Sequence, residues 1–382
     1  MSLYTDLGVR PLVNADSMKT ALGGSLMAAS VIAAMREAGQ AFVDMIELQA
    51  AVSARIAQVT HNEAAHVSSG ASAGLILSAL ACMTGNDLNQ VGRVLIHGMD
   101  VLPRRQFIVQ RGQRNPYDPA FRLAGAELVE VGNVLQTFPW EIEAAISEST
   151  AGVVFFAGAH IGFGSLGFDE VVAIAHAANL PVIVDAAAQL PPRENLWRFT
   201  QRGADLVIFS GGKELRGPQA SGLIVGRREL IAACAMHSSP NQRLARAMKV
   251  GKEEMIGLLV AIENYLAQDE AEERSRCERI VEQWVGRLSA LPGVSAQRDF
   301  PGTDGRPLPR AVVHLGDELS MDGAGLAAQL RVSDPAIAVA VAGDRAIYLN
   351  PELLCPGEED VVVTALTGLL RPAAAEALGT AR

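Results

Sequence analysis

The sequence predicts an α/β protein with a large domain built on a mostly parallel sheet and a smaller α+β domain. Between about residues 55 and 235, apolar runs of strand length alternate with amphipathic helical patterns, as in successive βαβ units. From residue 252 the pattern changes to a long, charge-laced helical stretch followed by short strand-like pieces. With 382 residues, 49% of them hydrophobic, the chain can bury the cores of both domains.

The individual elements follow from hydrophobic periodicity. Helices are predicted at residues 140–147 and 168–178, where apolar positions recur with helical spacing. The apolar runs predicted as strands are residues 93–97, 106–110, 127–131, 152–157, 181–185, 206–210 and 222–225.

Changes of pattern along the chain suggest three segments. We expect residues 1–50 to contribute to the small domain and a dimer interface, residues 51–251 to form the large domain, and residues 252–382 to form a linker helix and the small domain. The helical stretch that starts at residue 252 is predicted to run to about residue 291, before Pro292-Gly293. Residues 301–309 are predicted to be a loop, and the Ala-rich residues 372–382 are expected to fray.

Composition argues against several classes of protein. The N-terminus lacks a basic and apolar leader and no run is long enough for a membrane helix, so we expect a cytoplasmic protein without a membrane partner. Four separated cysteines indicate neither a zinc site nor a disulfide framework, and no metal is expected. A net charge of −10 argues against nucleic acid as a partner.

Two opposite charges follow neighbouring apolar runs. Asp185 ends the apolar run Pro181-Val-Ile-Val-Asp185. The next apolar run ends at Phe209, and Lys213 follows it in the segment Phe209-Ser-Gly-Gly-Lys213. The carboxyl ends of parallel strands meet at one edge of a sheet, so both side chains are expected there. Pyridoxal 5′-phosphate needs such a pair: a lysine that forms an imine and a carboxylate that keeps the ring nitrogen protonated. The alternative is a helix cap at Asp185 and a loop charge at Lys213.

The phosphate of that cofactor would need backbone N–H donors at a helix N-terminus. Ser69, Gly70, Ala71 and Ser72 form a turn of small residues before an apolar helical run, and are predicted to bind the phosphate. Ser210, three residues before the lysine, adds a hydroxyl. A simple N-cap at Ser68 or Ser69 is the alternative.

A competing motif indicates a different class of enzyme. Gly162-Phe-Gly-Ser-Leu-Gly167 matches the G-x-G-x-x-G dinucleotide fingerprint and would make the chain an NAD-dependent dehydrogenase. However, Gly158-Ala-His-Ile161 separates the preceding strand from the first glycine, whereas the fingerprint's turn starts at the strand end. The match is therefore weak.

Four further polar residues are candidates for contact with the substrate. Arg111 and Gln113 follow a predicted strand, and Arg345 precedes one in the small domain, where its fork suits a carboxylate. Lys249 is a candidate for hydroxyls or a phosphate of the substrate. Surface loops and surface ion pairs are the alternatives for these residues.

With these residues in view, the chain resembles the fold-type I pyridoxal-phosphate enzymes, within the group similar to bacterial L-seryl-tRNA(Sec) selenium transferase. The resemblance runs from about residue 12 to residue 356. It is carried by Leu22-Gly-Gly-Ser25, Phe42-Val-Asp-Met-Ile-Glu-Leu48, Ser69-Gly-Ala71, Val182-Ile-Val-Asp-Ala-Ala187, Phe209-Ser-Gly-Gly-Lys213, Arg216-Gly-Pro-Gln219 and Lys249-Val-Gly-Lys-Glu-Glu254.

The resemblance implies an imine on Lys213, a contact of Asp185 with the ring nitrogen, and a homodimer or larger homo-oligomer. The selenium transferase carries an additional N-terminal tRNA-binding region, whereas the matching motifs here begin almost at Met1. The shorter relatives look like ammonia-lyases of amino-sugar acids, such as D-glucosaminate or its 6-phosphate. Related members often have His where Gln113 stands, so the contact with the ring differs here.

These implications favour α,β-elimination of ammonia from a small β-hydroxy amino acid or an amino-sugar acid. Lys213 would remove the Cα proton while the protonated ring accepts charge. Racemisation, aldol cleavage and replacement start from the same deprotonation. A racemase, an aldolase or a selenium transferase therefore stays open as an alternative, as does a pyridoxal-binding protein without catalysis.

Overall fold

The computed structural model describes residues 3–371, which divide into two units. Residues 25–268 form the large unit, and residues 3–24 with 269–371 form the small unit. Residues 25–50 and 252–268 thus belong to the large unit, which differs from the predicted boundaries. The physical reason is packing between the helices at residues 29–38 and 252–267, which joins both segments to one body.

The elements have the following bounds. The strands are β1 (Leu12–Ala15), β2 (Ala64–Ser68), β3 (Gln106–Gln110), β4 (Glu127–Val131), β5 (Thr150–Phe156), β6 (Val182–Asp185), β7 (Leu206–Ser210), β8 (Gly222–Gly226), β9 (Val294–Asp299), β10 (Arg310–Leu315), β11 (Ala336–Val341) and β12 (Ala346–Leu349). The α-helices are α1 (Leu3–Asp6), α2 (Ala29–Ala38), α3 (Met45–Val59), α4 (Ala71–Thr84), α5 (Leu88–His97), α6 (Pro119–Leu123), α7 (Pro139–Ala145), α8 (Phe168–Ala177), α9 (Asn195–Gln201), α10 (Arg228–His237), α11 (Lys252–Ala267), α12 (Glu270–Leu288), α13 (Gly323–Val332) and α14 (Glu358–Leu370). Short 3₁₀ turns cover Thr20–Leu22, Met99–Val101 and Arg111–Gln113.

A seven-stranded sheet in the order β2-β8-β7-β6-β5-β3-β4 forms the centre of the large unit. Strand β8 is antiparallel to both of its neighbours, and the other pairs are parallel. The carboxyl ends of the parallel strands therefore lie at one edge, where open α/β sheets bind their ligands.

Both faces of this sheet are covered. Val182 and Val184 of β6 belong to one buried cluster, whereas Ile183 between them belongs to the cluster on the other face. Successive side chains of a strand point to opposite faces, so a strand covered on both sides reads as a continuous apolar run. This explains why β6 and β7 were recognisable in the sequence.

A five-stranded sheet in the order β1-β11-β12-β10-β9 forms the small unit. Strand β1 is parallel to β11, and the remaining pairs are antiparallel. Helices α12, α13 and α14 supply buried side chains to its core, among them Trp284, which donates a hydrogen bond to the Glu359 carbonyl at 2.9 Å. The predicted α+β character of the small domain agrees with this architecture.

Most predicted elements are confirmed, with ends shifted by one or two residues, but the strand predicted at residues 93–97 is wrong. Those residues end helix α5, whose N-cap Asp87 accepts hydrogen bonds from the backbone at Asn89 and Gln90. Only Val91 and Val94 of this helix are buried, which is helical rather than strand spacing. Strand β2 was not predicted, although all of it is buried.

The predicted helical stretch at residues 252–291 is two helices. Helix α11 ends at Ala267, and the side chain of Asp269 caps α12 by accepting from the backbone N–H groups of Ala271 and Glu272. Residues 301–309 contain no helix or strand, as predicted, while the fraying expected at residues 372–382 concerns residues outside those described. Within residues 3–371, no helix is long and apolar enough to cross a bilayer, and no cluster of His, Cys, Asp and Glu suits a metal.

Candidate active site

The carboxyl ends of β6 and β7 bring the two predicted charges to one edge of the sheet. Asp185 is the last residue of β6 and pairs with Ile208 of β7, and Lys213 follows the end of β7 by three residues. Burial raises the pKa of the Asp185 carboxyl group, and the positive charge of Lys213 opposes part of that rise. The structure therefore brings this pair together.

Asp185 is 9% exposed, and burial raises the pKa of its carboxyl group above the ordinary value. Two contacts oppose this effect: the Ala187 N–H donates to Oδ1 at 3.0 Å, and Lys213 contributes positive charge. A buried carboxylate is stabilised most by a further cation or by a charged N–H donor. A protonated pyridine nitrogen is a group of that kind.

Close packing of the turn before Lys213 explains its two glycines. A Cβ at Gly211 would lie 2.0 Å from the Ser221 hydroxyl oxygen, and one at Gly212 would lie 2.5 Å from Gln219 Cα. Any side chain at either position would displace the turn. Lys213 can therefore occupy its position only if the two preceding residues are glycines.

Ser25 also holds this turn, and the sequence assigned it no role. Its hydroxyl donates to the Lys213 carbonyl at 2.7 Å, and its backbone N–H donates to the Gly212 carbonyl at 3.1 Å. The only signal in the sequence was its membership of the motif Leu22-Gly-Gly-Ser25. The contact joins positions 188 residues apart, so no local pattern reveals it.

Strand register places the predicted phosphate turn beside the lysine turn. Ser68 of β2 and Ser210 of β7 both pair with Gly222 of β8. Gly70 follows with a φ of +130° and caps helix α4. A Cβ at Gly222 would lie 2.5 Å from the Gly70 carbonyl carbon, so the backbone of the turn rests directly on β8.

The start of α4 offers unpaired backbone donors at this place. The first N–H groups of a helix have no carbonyl acceptor within the helix, which makes the turn from Ser69 to Ser72 a suitable cradle for a phosphate. Ser69, Gly70 and Ala71 are half-buried and Ser72 is exposed. Because α4 is largely buried against the sheet, the cradle is rigidly placed.

We expect Gly222→Ala to weaken cofactor affinity by about tenfold or more, because the new methyl group would push the Gly70 turn away from the phosphate. Fluorescence titration of the apoenzyme with the cofactor measures this. Gly92→Ala is the matched control, since a Cβ there meets no atom within 4 Å. Equal affinity in the two variants would contradict the placement of the cradle.

Gln113 and Arg111 lie in different environments: Gln113 is buried and Arg111 is exposed. Gln113 is 2% exposed, and its Oε1 accepts from the backbone N–H of Phe156 at 3.2 Å. Phe156 pairs with Asp185, so the amide of Gln113 lies at the same sheet edge. Arg111 is exposed and its Nε lies 3.3 Å from Glu130, in a surface ion pair. Gln113 is thus the better placed of the two.

The remaining predicted substrate residues are less clearly placed. Lys249 is exposed, in the segment between α10 and α11. Arg345 belongs to the small unit, and its guanidinium donates to the carbonyls of Leu315 and Leu319, each at 3.0 Å. These bonds hold the guanidinium group against the backbone through its Nε and Nη2 atoms.

The region of the G-x-G-x-x-G match does not form the tight turn of a dinucleotide site. Residues 157–167 separate β5 from α8, so the glycines do not follow the strand directly. The side chain of Gln110 holds the end of this loop, accepting from Leu166 N at 2.6 Å. Gly162 and Gly164 have φ values of +92° and +73°, and serve loop geometry.

The sheet is covered on both faces, and an aspartate, a turn that carries a lysine and a helix N-terminus lie at one of its edges. This arrangement is typical of one class of enzyme. The fold is that of the fold-type I enzymes that use pyridoxal 5′-phosphate, so the predicted fold and the predicted cofactor are both confirmed. Within that class, the chain belongs to the L-seryl-tRNA selenium transferase family, whose sequence profile matches residues 14–298.

Two relatives extend over nearly the whole chain. A D-glucosaminate-6-phosphate ammonia lyase of Salmonella typhimurium is 33% identical, covering 98% of this chain and 99% of the relative. A 5′-C-glycyluridine monooxygenase-decarboxylase of a Streptomyces species is 34% identical, covering 96% of this chain and 92% of the relative. Their different names mean that similarity at this level does not decide the reaction.

Solved structures agree with the family. A structure of D-glucosaminate-6-phosphate ammonia-lyase has a TM-score of 0.84 at 32% identity, covering 97% of this chain and 98% of the other. A Thermus thermophilus aspartate aminotransferase, with a TM-score of 0.53 at 16% identity over 96% and 94% of the two chains, shares the fold alone.

Proposed function

We propose that this chain is a pyridoxal-phosphate-dependent ammonia-lyase that acts on a small β-hydroxy amino acid or an amino-sugar acid such as D-glucosaminate or its 6-phosphate. The observation that carries the proposal is the placement of Lys213 beside buried Asp185 at the carboxyl edge of the sheet. Full-length similarity to a D-glucosaminate-6-phosphate ammonia lyase supports elimination as the reaction.

The residues at the sheet edge have separate roles in the reaction. When bound, the cofactor supplies an electron-accepting ring that stabilises negative charge at the substrate Cα. Lys213 would hold the cofactor through its side-chain amine and, once released, would remove the proton from the substrate Cα. Asp185 keeps a proton on the ring nitrogen, because an anionic carboxylate favours the charged form of that nitrogen.

Binding and orientation fall to the surrounding groups. Backbone N–H groups from Ser69 to Ser72 and the hydroxyl of Ser210 hold the cofactor phosphate. Gln113 contacts the ring or the substrate. Contacts to substrate hydroxyls, a phosphate or the carboxylate are proposed for Arg111, Lys249 and Arg345.

A screen of ammonia release by the holoenzyme tests the reaction. We expect stoichiometric ammonia and a 2-keto-3-deoxy acid from at least one of D-glucosaminate, its 6-phosphate or a β-hydroxy amino acid. Consumption of substrate without ammonia, with inversion of configuration at Cα or formation of an aldehyde, would replace the lyase by a racemase or an aldolase.

A second candidate function follows from the other full-length relative. The 34% identity to a 5′-C-glycyluridine monooxygenase-decarboxylase favours an oxygen-dependent decarboxylation of a nucleoside amino acid. An oxygen electrode and CO₂ detection separate the two functions: elimination consumes no oxygen and releases no CO₂. Dependence of turnover on oxygen would favour this second candidate.

We further propose that the chain does not act on tRNA. Binding of the phosphate backbone requires concentrated positive charge and weakens steeply with salt, whereas this chain has 42 acidic and 32 basic residues. In a filter-binding titration with seryl-tRNA(Sec), we expect no specific retention at physiological salt. Salt-sensitive retention at about micromolar protein or below would restore selenium transfer.

We also propose a homodimer or larger homo-oligomer located in the cytoplasm. Exposed apolar side chains on the large unit support self-association, among them Phe42 at 104% exposure and Leu26 at 70%. Such side chains mark interaction surfaces when they lie together. Analytical ultracentrifugation of the holoenzyme measures the state.

A further inference from the structure

The loop between β5 and α8, residues 157–167, contains one titratable side chain, that of His160. It belongs to the large unit, as do Asp185, Gln113 and Lys213. The proposed elimination gives roles to those three residues but none to His160. Imidazole is the side chain that most often transfers protons in enzymes, so its position relative to the site matters.

Hydrogen bonds hold both halves of this loop at the carboxyl edge of the sheet. The backbone N–H of Ala157 donates to the Asp185 carbonyl at 2.9 Å. The backbone N–H of Gly162 donates at 2.9 Å to the carbonyl of Gly112, in the 3₁₀ turn that follows β3. His160 lies three residues after the first of these anchors and two before the second. The loop therefore carries it along the edge where the proposed site lies.

Gly158 determines where the imidazole lies within the loop. A Cβ at this position would lie 3.1 Å from Cε1 and 3.3 Å from Nδ1 of His160, so the ring packs over the backbone of Gly158. The glycine has a φ of +152°, which side chains with a Cβ rarely adopt. It lies two residues after Phe156, which pairs with Asp185. The ring is thus held near the end of β5.

His160 is exposed, and within residues 3–371 its imidazole makes no hydrogen bond or ion pair. Its ring nitrogens are therefore accessible to a substrate, and a protonated imidazole donates from both. Asp185 by contrast is buried, and the amide of Gln113 accepts from the backbone of Phe156 and has no acidic proton. His160 is thus better suited than either to donate a proton to a bound substrate.

The proposed elimination needs such a donor. Lys213 would remove the Cα proton, and the hydroxyl group on Cβ must then leave. Hydroxide is a poor leaving group, whereas a hydroxyl group that receives a proton leaves as water. A positioned general acid accelerates a step of this kind by about 10²–10⁴-fold.

We propose that His160 is the catalytic acid that protonates the departing β-hydroxyl group. The inference rests on the proposed lyase function. Lys213 takes the proton from Cα, and the electron pair of the broken C–H bond forms the double bond between Cα and Cβ. The Cβ–O bond breaks with its electron pair on oxygen, which takes a proton from His160 and departs as water. His160 regains its proton from solvent, and hydrolysis of the unsaturated amine gives ammonia and the keto acid.

His160→Gln tests the proposal in the holoenzyme, because glutamine is polar but has no acidic proton. The probe is whichever of D-glucosaminate, its 6-phosphate or L-serine releases ammonia. We expect ammonia formation to fall by about 100-fold or more. Exchange of the substrate Cα–H in D₂O, followed by NMR, should stay at the wild-type rate or exceed it, because Lys213 still removes this proton before the hydroxyl group leaves.

His97→Gln is the matched control, because His97 is an exposed histidine of the large unit that ends helix α5. It should release ammonia and exchange Cα–H as the wild type does. Lys213→Ala provides the contrast, since loss of the base should remove both activities. The imine band near about 420 nm and thermal unfolding check that His160→Gln binds the cofactor and remains folded.

Wild-type ammonia formation in His160→Gln would overturn the proposal, because the acid would then be dispensable. A parallel loss of ammonia formation and of Cα–H exchange would also overturn it, since that result assigns His160 to binding of the cofactor or the substrate. Failure of the lyase proposal gives a different result. The wild type itself would then release no ammonia from the three probes, and His160 would have no leaving hydroxyl group to protonate.

Discussion

Lys213→Ala is expected to abolish both the covalent attachment of the cofactor and turnover. The alanine side chain can neither form the imine nor remove the Cα proton. Loss of a positioned base alone costs about 10²–10⁴-fold in rate, and loss of the attachment adds to this. The variant should fold normally, because the contact of Ser25 with this turn is made to the backbone carbonyl of residue 213.

Absorbance and mass spectrometry measure this result. The wild-type holoenzyme should show an imine band near about 420 nm that borohydride removes, and the variant should not. The chain has only four lysines, so peptide mapping after reduction is decisive: the adduct should lie on Lys213 and not on Lys19, Lys249 or Lys252. An adduct on one of the other three would disprove the assignment.

Asp185→Asn is expected to retain the cofactor but to lower kcat by about 100-fold or more, because a neutral amide does not hold a proton on the ring nitrogen. The amide has nearly the same shape, and its oxygen can still accept from Ala187 N. The phosphate cradle and Lys213 are untouched, so the imine should persist. The rate of Cα–H exchange with solvent should fall with turnover, since both need the electron-accepting ring.

The pKa of Asp185 predicts a related pH dependence. Burial raises this pKa in the protein without cofactor, so as pH falls the carboxyl becomes protonated earlier than an exposed aspartate would. Protonation removes the negative charge that attracts the ring nitrogen. Cofactor affinity of the wild type should therefore decrease as pH falls through this pKa, and the Asn variant should lack that step.

Asp169→Asn is the matched control for both measurements. Asp169 is an exposed aspartate of the large unit whose Oδ2 lies 2.7 Å from Arg202, so its replacement removes only a surface ion pair. It should leave turnover and the pH profile unchanged. Full activity of Asp185→Asn would remove that residue from the mechanism.

The class of the chain could be predicted from local patterns. A strand that is covered on both faces appears in the sequence as a continuous apolar run, so β6 and β7 could be recognised there. Asp185 and Lys213, at the ends of these runs, could be recognised as well. A lysine after a serine and two glycines is also a local signal, because the turn leaves no room for side chains at Gly211 and Gly212. The predicted fold and cofactor are confirmed for that reason.

The tertiary structure decided what depends on residues distant in the chain. The register of Ser68 and Ser210 on Gly222, the contact of Ser25 with the Lys213 turn, and the bond of Gln113 to Phe156 each join separate segments. The ion pair of Asp16 with Lys19 is local in the sequence, but the burial of Asp16 depends on residues near 306 and 350, which are distant in the chain. Sequence periodicity reports which face of an element is buried, and only packing determines which elements and polar groups meet there.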